Sequence, residues 1–309
     1  MREDNPSRGT GPARDALAHP AQLAVGIVGA GRVGTALGVA LARAGHRVVA
    51  VSAVSDTALS RIGRSLPAVP VLRPEELIPR ADLVLLTVPD DALPGLVRGL
   101  VAAGVPVRGR LLAHASGRHG LAVLEPAIAK GALPLALHPA MTFSGRPDDV
   151  EKMAGICFGV TAPEPLRPVA EALVVEMGGE PVFIDEQVRG RYHAALDGTA
   201  SHLITLVATA ADLLRSAGVA DPARMLGPLL SAALDNALAL GDSALTGPAA
   251  HGDAETVGAD IAAIRAAAPA SLGAYLALAR LTADRALAAG ALRPSDAQRL
   301  LGVLGGRPE

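Results

Sequence analysis

The chain has 309 residues, 50% of them apolar, and its 28 basic and 30 acidic residues leave a net charge of −2. This length suffices for one large domain or two ordinary ones, and the even charge balance argues against nucleic acid or an anionic membrane as a partner. The lone cysteine, Cys157, excludes an internal disulfide and is typical of a reducing compartment. Because it lies in an apolar run, it is expected to be a buried thiol.

The first residues of the chain have no apolar segment of the kind found in a secretion signal. Residues 1–21 carry charges, proline and glycine, and are predicted to be a mobile tail. No segment combines the length and apolarity of a membrane span. We therefore expect a cytoplasmic protein without a membrane partner.

A glycine-rich turn follows the tail. The segment LAVGIVGAGRVGTALGVALARA is typical of a strand, a tight turn and a helix. Gly29, Gly31 and Gly34 have the spacing in which the glycines permit the turn, the approach of a phosphate and the packing of the helix. The helix start, with Arg32 and Val33, would bind the pyrophosphate of a dinucleotide through its free N–H groups. A glycine-rich turn of another kind of α/β protein is the alternative.

The end of the second predicted strand bears on the choice of dinucleotide. NAD-binding folds commonly place Asp or Glu there, whereas this chain has Ser52 and Ser55. Hydroxyls can donate to a 2′-phosphate that a carboxylate would repel, and Arg32, with Arg61 or Arg64, would supply positive charge. The sequence therefore favours NADP over NAD. Alternatively, the two serines only cap the next helix.

Short Val- and Leu-rich runs alternate with helical patterns up to residue 185, which predicts a doubly wound, mostly parallel sheet over residues 22–185. From residue 186 only helical patterns remain, which predicts an all-α domain over residues 186–305. The fold class is thus α/β, a Rossmann sheet followed by a helical domain. The predicted strands are Leu23–Val28, Arg47–Val51, Asp82–Val88, Arg110–Ala115, Leu133–Leu137, Ile156–Thr161 and Val182–Ile184.

Polar residues follow three of these strands, at the edge where ligands of open α/β sheets bind. Pro89 and Asp90 follow the third strand, Ser116 the fourth and His138 the fifth. Each has a structural explanation, since Asp90 or Asp91 could cap a helix and Ser116 could belong to a turn. Their recurrence on one edge nevertheless predicts a site lined by several of them.

The helical region offers a second polar set. His193, Asp197 and Ser201 are spaced i, i+4, i+8 and share one ridge of the predicted helix. A solvated polar ridge is one explanation. Our preferred hypothesis is that His193, oriented by Asp197, is the general acid, with His138 and Ser116 beside the reacting carbon. No metal site is predicted.

Six segments together carry a family resemblance: GAGRVG, VPDD, HASG, LALHPAMTFSG, GRYHAAL and ALTGPAAHGD. From Leu23 to Leu304 the chain resembles the Rossmann-like proteins with a C-terminal helical domain of unknown function, generally described as oxidoreductases. Its architecture is also similar to ketopantoate reductases, pyrroline carboxylate reductases and hydroxyacid dehydrogenases. The resemblance implies an NADP-dependent reductase of a small oxo acid or imine, with ketopantoate as the first candidate. It also implies a homodimer formed through the helical domain.

Two departures bear on that inference. Hydroxyacid dehydrogenases and ketopantoate reductases use a lysine of the second domain, whereas the two lysines here, Lys130 and Lys152, precede it. Ser201 stands where the resembling family has asparagine after YHAAL. A non-catalytic dinucleotide-binding regulatory or scaffold protein is therefore the alternative function.

Overall fold

The computed structural model describes residues 22–305, and the tail predicted at residues 1–21 lies outside them. The described residues form two compact units that divide between Gly198 and Thr199. The predicted boundary at 185/186 marks the change from strands to helices, and the units divide further along, inside the helix Arg189–Ser216.

The first unit contains a seven-stranded sheet, and each predicted strand has a counterpart in it. The strands are β1 (Ala24–Val28), β2 (Arg47–Ser52), β3 (Leu83–Leu86), β4 (Leu111–His114), β5 (Leu133–Pro139), β6 (Cys157–Thr161) and β7 (Glu180–Phe183). Apolar runs form the central strands β1, β3 and β4 because both faces of the sheet are covered there, so that successive side chains are buried, whereas the edge strand β7 is largely exposed.

The strand order is β2-β1-β3-β4-β5-β6-β7, and β1 to β5 are all parallel to one another. Strand β6 runs antiparallel to β5, while β7 is parallel to β6. The chain leaves β1 towards β2 on one side and returns to β3 on the other, which creates a switch point between β1 and β3. Open α/β sheets bind their ligands at such a point, beyond the carboxyl ends of the strands.

Helices of the first unit cover the two sheet faces with separate apolar cores. One core joins α1 and α2 to Val25 and Ile27, and the other joins α4 to Val28 and Val84. Alternate residues of the strands serve the two cores, as the period of a strand requires. The helices wholly in this unit are α1 (Arg32–Arg43), α2 (Asp56–Ser65), α3 (Pro74–Leu77), α4 (Leu93–Ala102), α5 (Glu125–Ile128) and α6 (Arg167–Glu176).

The long helix α7 (Arg189–Ser216) leads into a second unit whose described residues are helical, as predicted. Its apolar core includes Val257, Ile261 and Leu300. No helix in residues 22–305 is long and apolar enough to cross a membrane. The remaining helices are α8 (Pro222–Leu240), α9 (Pro248–His251), α10 (Ala254–Ala267), α11 (Leu272–Ala288) and α12 (Pro294–Gly305).

Two expectations from the sequence were wrong. Cys157 is exposed, because it is the first residue of β6 and burial begins only with Phe158, which is 0% exposed. The carboxylates at positions 90 and 91 do not cap a helix either. Helix α4 begins at Leu93, and its N-cap is Ala92.

Candidate active site

The glycine-rich turn between β1 and α1 leaves no room for side chains at two of its glycines. Gly29 has a φ of +89°, and a Cβ there would lie 2.8 Å from Cγ1 of Val88. A Cβ on Gly34 would lie 2.3 Å from Oγ1 of Thr87. The hydroxyl of Thr87 donates to the carbonyl of Gly29 over 2.8 Å and so ties the end of β3 to the turn. Glycine is therefore required here by the protein's own packing.

Gly31 differs, because a Cβ at this position would come no closer than 3.8 Å to its nearest neighbour, the carbonyl oxygen of Gly29. Gly31 is also the N-cap of α1, where no side chain accepts from the first N–H groups and no acidic residue occupies the first turn. The exposed Arg32 begins the helix, and Val33 follows it. A cation at a helix N-terminus opposes the helix dipole, so a bound anion would improve the local electrostatics. These residues fit the pyrophosphate of a dinucleotide.

The two serines after β2 have local structural roles. The carbonyl oxygen of Ser52 accepts hydrogen bonds from the N–H groups of Gly29 and Ala30, over 3.0 and 2.8 Å, and so holds the turn. The hydroxyl of Ser55 accepts from the N–H of Ala58 over 3.2 Å and caps α2. Ser55 therefore caps a helix, as the alternative to a 2′-phosphate site predicted. Because its hydroxyl only accepts in this cap, it can still donate to a ligand.

The loops that follow β3 and β4 are joined through His119. Its Nε2 donates to the carbonyl of Asp90 over 3.0 Å, and its backbone N–H donates to the hydroxyl of Ser116 over 3.0 Å. Asp90 is half-buried and follows the exposed Pro89. Ser116 is 7% exposed, so the structure shows its hydroxyl ordering the loop. The predicted residues after β3 and β4 are therefore brought together at one edge.

The loop after β4 is also tied to the start of α7. The carboxylate of Glu186 accepts from the N–H groups of Leu121 and Ala122, over 2.6 and 3.1 Å. The guanidinium of Arg189 donates to the carbonyl of Ser116 over 2.9 Å. The loop therefore has contacts to two consecutive turns of the chain that enters the helix.

His114, the last residue of β4, is a structural histidine. Its Nδ1 accepts from the N–H of Ser116 over 3.2 Å, so Nε2 carries the proton and donates to the carbonyl of Gly120 over 2.8 Å. Burial lowers the pKa of His114 to about 4, despite the hydrogen bond to Gly120. Both ring nitrogens are occupied, so this histidine orders the loop.

His138, near the end of β5, is paired with Tyr192 in the first turn of α7. Its Nδ1 and the phenol oxygen are 2.7 Å apart, and the two rings meet edge to face at 88°. Burial, followed by the Arg189 cation and His193, lowers the pKa of His138 to about 4. Burial also raises the pKa of Tyr192. At neutral pH the pair is therefore an uncharged imidazole and an uncharged phenol.

Arg189 is a buried cation beside this pair. It is 1% exposed, donates to Oγ1 of Thr161 over 2.7 Å, and lies 5.7 Å from the centre of the Tyr192 ring. Burial lowers its pKa, while Tyr192 and Glu186 raise it. No carboxylate of the described residues lies within 4.0 Å of its nitrogens, and Nε has no hydrogen-bond partner. The guanidinium therefore gives the site a fixed positive charge.

Gly117 brings His138 and His193 together. A Cβ on this buried glycine would lie 2.9 Å from Nε2 of His138 and 2.9 Å from Cδ2 of His193. Asp197 is exposed one turn beyond His193 on α7, and Ser201 lies one turn further still. The structure therefore brings together His138 and His193, two of the four predicted catalytic residues, with Ser116 in the adjoining loop.

Sequence reasoning missed Arg189, Tyr192 and Gly117. A usable signal was present, because Arg189, Tyr192 and His193 have the i, i+3, i+4 spacing that places three side chains on one helix face. Tyr192 is also one of only two tyrosines in the sequence. The motif GRYHAAL was recognised, but only its histidine was assigned a role.

The glycine turn and the histidine pair lie at the same edge of the sheet. The turn is at the switch point between β1 and β3, and His138 is the penultimate residue of β5, two strands beyond β3. Neighbouring strands are about 4.8 Å apart. The position between β1 and β3, where the glycine turn lies, is therefore separated by roughly 10 Å from the position between β4 and β5, where Gly117 and His138 meet. The edge therefore provides an anion cradle and, beyond it, a group of proton-bearing side chains.

Two family models match the chain, a Rossmann-like domain over residues 9–139 and a domain of unknown function, DUF2520, over residues 156–282. The chain is a Rossmann-like protein with a C-terminal DUF2520 domain. This confirms the expected combination of a Rossmann domain with a domain of unknown function. A search of the curated proteins found no match.

Solved structures share this fold over nearly their whole length. The "putative NADP oxidoreductase BF3122" from Bacteroides fragilis is 24% identical, with a TM-score of 0.72 over 85% of this chain and 98% of that one. An imine reductase from Pseudomonas sp. is 19% identical, with a TM-score of 0.61 over 92% and 99%. A reductive aminase from Aspergillus terreus, in complex with NADPH and ethyl levulinate, is 20% identical, with a TM-score of 0.59 over 91% and 99%. At these identities the likeness establishes the fold.

Proposed function

We propose that this DUF2520 protein is an NADPH-dependent reductase of a small oxo acid or imine. The observation that carries the proposal is the arrangement on one sheet edge of an anion cradle at Gly31 and the His138–Tyr192 pair. The names of the structural neighbours, an imine reductase and a reductive aminase among them, support the same reaction class. Neither line of support identifies the substrate.

The proposed cofactor site uses the backbone of Gly29, Gly31 and Gly34 for the pyrophosphate. Preference for NADPH is supported by Arg32 at the start of α1 and by the absence of a carboxylate from positions 52–55. Ser52 and Ser55 would border the 2′-phosphate, and Pro89 and Asp90 would border the nicotinamide half. When bound, the reduced nicotinamide supplies the hydride.

The residues around His138 would position and polarise the C=O or C=N group. As an uncharged imidazole with Tyr192 on Nδ1, His138 can donate a hydrogen bond from Nε2 towards the space over Gly117. The positive charge of Arg189 stabilises negative charge that develops on the substrate oxygen in the transition state. This task needs no lysine from the second unit.

The proton itself is assigned to His193, with Asp197 one helical turn away to orient it. Ser116 would hold the loop that carries Gly117, the glycine that packs against both histidines. A carboxylate-bearing substrate suits the fixed positive charge nearby. Ketopantoate is the first substrate to test, followed by cyclic imines.

The test begins with titration of NADPH and NADH into the full chain, followed by a search for oxidation of the bound cofactor by ketopantoate, other small oxo acids and cyclic imines. We expect NADPH to bind more tightly and at least one compound to be reduced. Binding without turnover would support a non-catalytic dinucleotide-binding protein. If neither dinucleotide binds the folded chain, the proposal is wrong.

His193→Ala should then reduce turnover by roughly 10²–10⁴, because general acid catalysis contributes that much. The matched control is His202→Ala, since His202 is exposed on the same helix. The measurement is kcat with the best substrate at constant pH. Unchanged turnover in His193→Ala would give His193 a purely structural role.

The proposed form is a cytoplasmic homodimer joined through the second unit. Helix α8 exposes most of its apolar side chains, including Leu229 at 64% and Leu238 at 80%, and Arg224 and Asp235 are its only charged residues. A helix that is apolar on nearly all sides is normally buried. We propose that a second copy of the chain covers this helix, because symmetric homodimers are the commonest soluble oligomers.

A further inference from the structure

A cavity of about 280 Å³ lies in the first unit, where α1 and the C-terminal half of α2 meet the segment 145–150. It is on the sheet face covered by α1, α2 and α6. Its lining does not include the glycines of the turn, Ser52 or Ser55. Five arginines line it: Arg32, Arg43, Arg61, Arg64 and Arg146.

The charge of this cavity is not balanced by the protein. Arg43 pairs with Glu151 and Arg146 with Asp148, in exposed ion pairs of 3.0 and 3.3 Å. Across residues 22–305, the other three arginines have no carboxylate oxygen within 4.0 Å of their nitrogens. Surface pairs of this kind contribute little, so most of the positive charge remains available.

The one carboxylate in the lining is already engaged by its own loop. Asp149 is 2% exposed, and its oxygens accept from the N–H and hydroxyl of Ser144 and from the N–H of Gly145. These hydrogen bonds lower the pKa of Asp149 against the effect of burial. Asp149 therefore shapes the segment that closes the cavity, and its charge does not pair with an arginine.

Arg61 has a donor that lacks an acceptor. Its Nε is shielded from solvent and has no hydrogen-bond partner. A Cβ on Gly145 would lie 3.1 Å from this nitrogen and 3.2 Å from Cγ of Arg32, so the segment packs directly on both side chains. A shielded donor without an acceptor is unfavourable, and a ligand oxygen would supply the missing acceptor.

We propose that this cavity binds a small phosphorylated anion, separately from the dinucleotide at the glycine-rich turn. Guanidinium groups match phosphate oxygens with paired, charge-assisted hydrogen bonds. The volume is just below the roughly 300–1,000 Å³ of ordinary ligand pockets, which suits a compact anion. The site goes beyond the proposed reductase activity, which makes no use of Arg43 or Arg146, whereas Arg32 would border both sites.

The test is calorimetric titration of inorganic pyrophosphate into the full chain at about 0.15 M ionic strength, with and without saturating NADPH. Arg64→Gln should weaken pyrophosphate binding by about tenfold or more, as loss of a charge-assisted hydrogen bond predicts. Arg64 is exposed, so its replacement leaves the fold intact. The matched control is Arg98→Gln, an exposed arginine of α4 on the other sheet face, which should change nothing.

Three outcomes would overturn the site. They are no pyrophosphate binding by the wild type, binding abolished by NADPH and NADH alike, and an Arg64→Gln variant that weakens NADPH but not NADH. The second outcome would move pyrophosphate to the glycine-rich turn, and the third would assign the cavity to the 2′-phosphate. If the chain binds no dinucleotide but still binds pyrophosphate through Arg64, the reductase proposal fails and this site stands.

Discussion

At position 31 a side chain would fit the fold, whereas at position 34 it would not. The atom nearest a Cβ is 3.8 Å away at Gly31 and 2.3 Å away at Gly34. Gly34 is therefore required for the protein to fold correctly, whereas glycine at position 31 is required only for a ligand to approach the backbone. Substitutions at these two positions should therefore distinguish an effect on folding from an effect on ligand binding.

Gly34→Ala should lower the free energy of unfolding by about 1–3 kcal/mol, the usual cost of overpacking, and weaken dinucleotide binding as a consequence. Gly31→Ala should leave thermal stability unchanged and still weaken binding of NADPH by about tenfold or more, since the added methyl group occupies the approach of the phosphate. Thermal unfolding and cofactor titration of the two variants are the measurements. Normal NADPH affinity in Gly31→Ala would contradict the cradle.

The free energy of unfolding should decrease at acidic pH because of two buried histidines, His114 and His138. Burial lowers the pKa of His114 and of His138 to about 4, while histidine in an unfolded chain titrates near 6.5. Between these values the unfolded state binds more protons, so stability is full above about pH 6.5 and falls as the pH decreases towards 4. Within this window the fully buried His114 alone changes the unfolding free energy by up to about 1.4 kcal/mol per pH unit.

Urea unfolding between about pH 7 and about pH 5 measures this effect. His138→Gln should show a smaller decrease than the wild type, because one of the two buried imidazoles is gone. His202→Gln, at an exposed position, should behave as the wild type. If the urea midpoint of the wild type did not change on acidification, the low pKa values of His114 and His138 would both be contradicted.

At this scale the sequence predicted the turn glycines and His138 and His193, but not what surrounds them. Spacing placed Arg189 on the same helix face as His193, yet nothing in the sequence shows that its guanidinium is 1% exposed. The pairing of His138 with Tyr192 joins residues 54 positions apart, and only the fold brings them together. The low pKa of His138 follows from that environment and could not be predicted.

Among the elements, β5 and α7 are joined by the hydrogen bond between His138 and Tyr192. Tyr192→Phe removes the phenol hydroxyl and leaves Nδ1 of His138 without this partner. We expect kcat to fall by about tenfold, the equivalent of one hydrogen bond of roughly 1.4 kcal/mol, and its pH dependence to shift. KM should change little.

The other tyrosine provides the control. Tyr275→Phe likewise removes a phenol hydroxyl, which donates to Asp260 over 3.1 Å within the second unit. It should reduce stability slightly and leave kcat unchanged. Equal effects of the two variants on kcat would indicate a general loss of stability instead of a role for the Tyr192 pair.

The element order was accessible from the sequence because apolar runs of strand length were separated by helical patterns. The exact ends were less accessible. Asp82–Val88 was predicted as a strand, and the structure has Leu83–Leu86; beyond it, the side chain of Thr87 donates to the carbonyl of Gly29. The antiparallel direction of β6 was not predicted, although a signal was present: the connection between β5 and β6 contains no long helix, which a parallel crossover usually has.

For the whole molecule, the proposed homodimer has a direct test. Helices α7 and α8 are about 42 and 28 Å long, which provides area for the roughly 800 Å² that each partner of a standard interface buries. Light scattering should give the mass of two chains. Leu234→Glu combined with Leu238→Glu should give the mass of one, because both side chains are more than half exposed in the single chain.

Val175→Glu on α6 is the matched control, since Val175 is 58% exposed in the first unit. It should remain dimeric. If the wild type had the mass of one chain, the dimer proposal would be wrong. If the double variant on α8 remained dimeric, the interface would have to lie elsewhere.

The attachments of the loop after β4 have a mechanical consequence. Arg189 binds Ser116, Glu186 binds Leu121, and His119 binds Asp90, so one short loop is fastened to the beginning of α7 on one side and to the segment after β3 on the other. We expect a rotation of the first turn of that helix to pull on the loop, and through it on the segment that borders the proposed nucleotide site. If the proposed function is correct, substrate binding near the helix and occupancy of the nucleotide site would be coupled through these hydrogen bonds, without any rearrangement of the sheet.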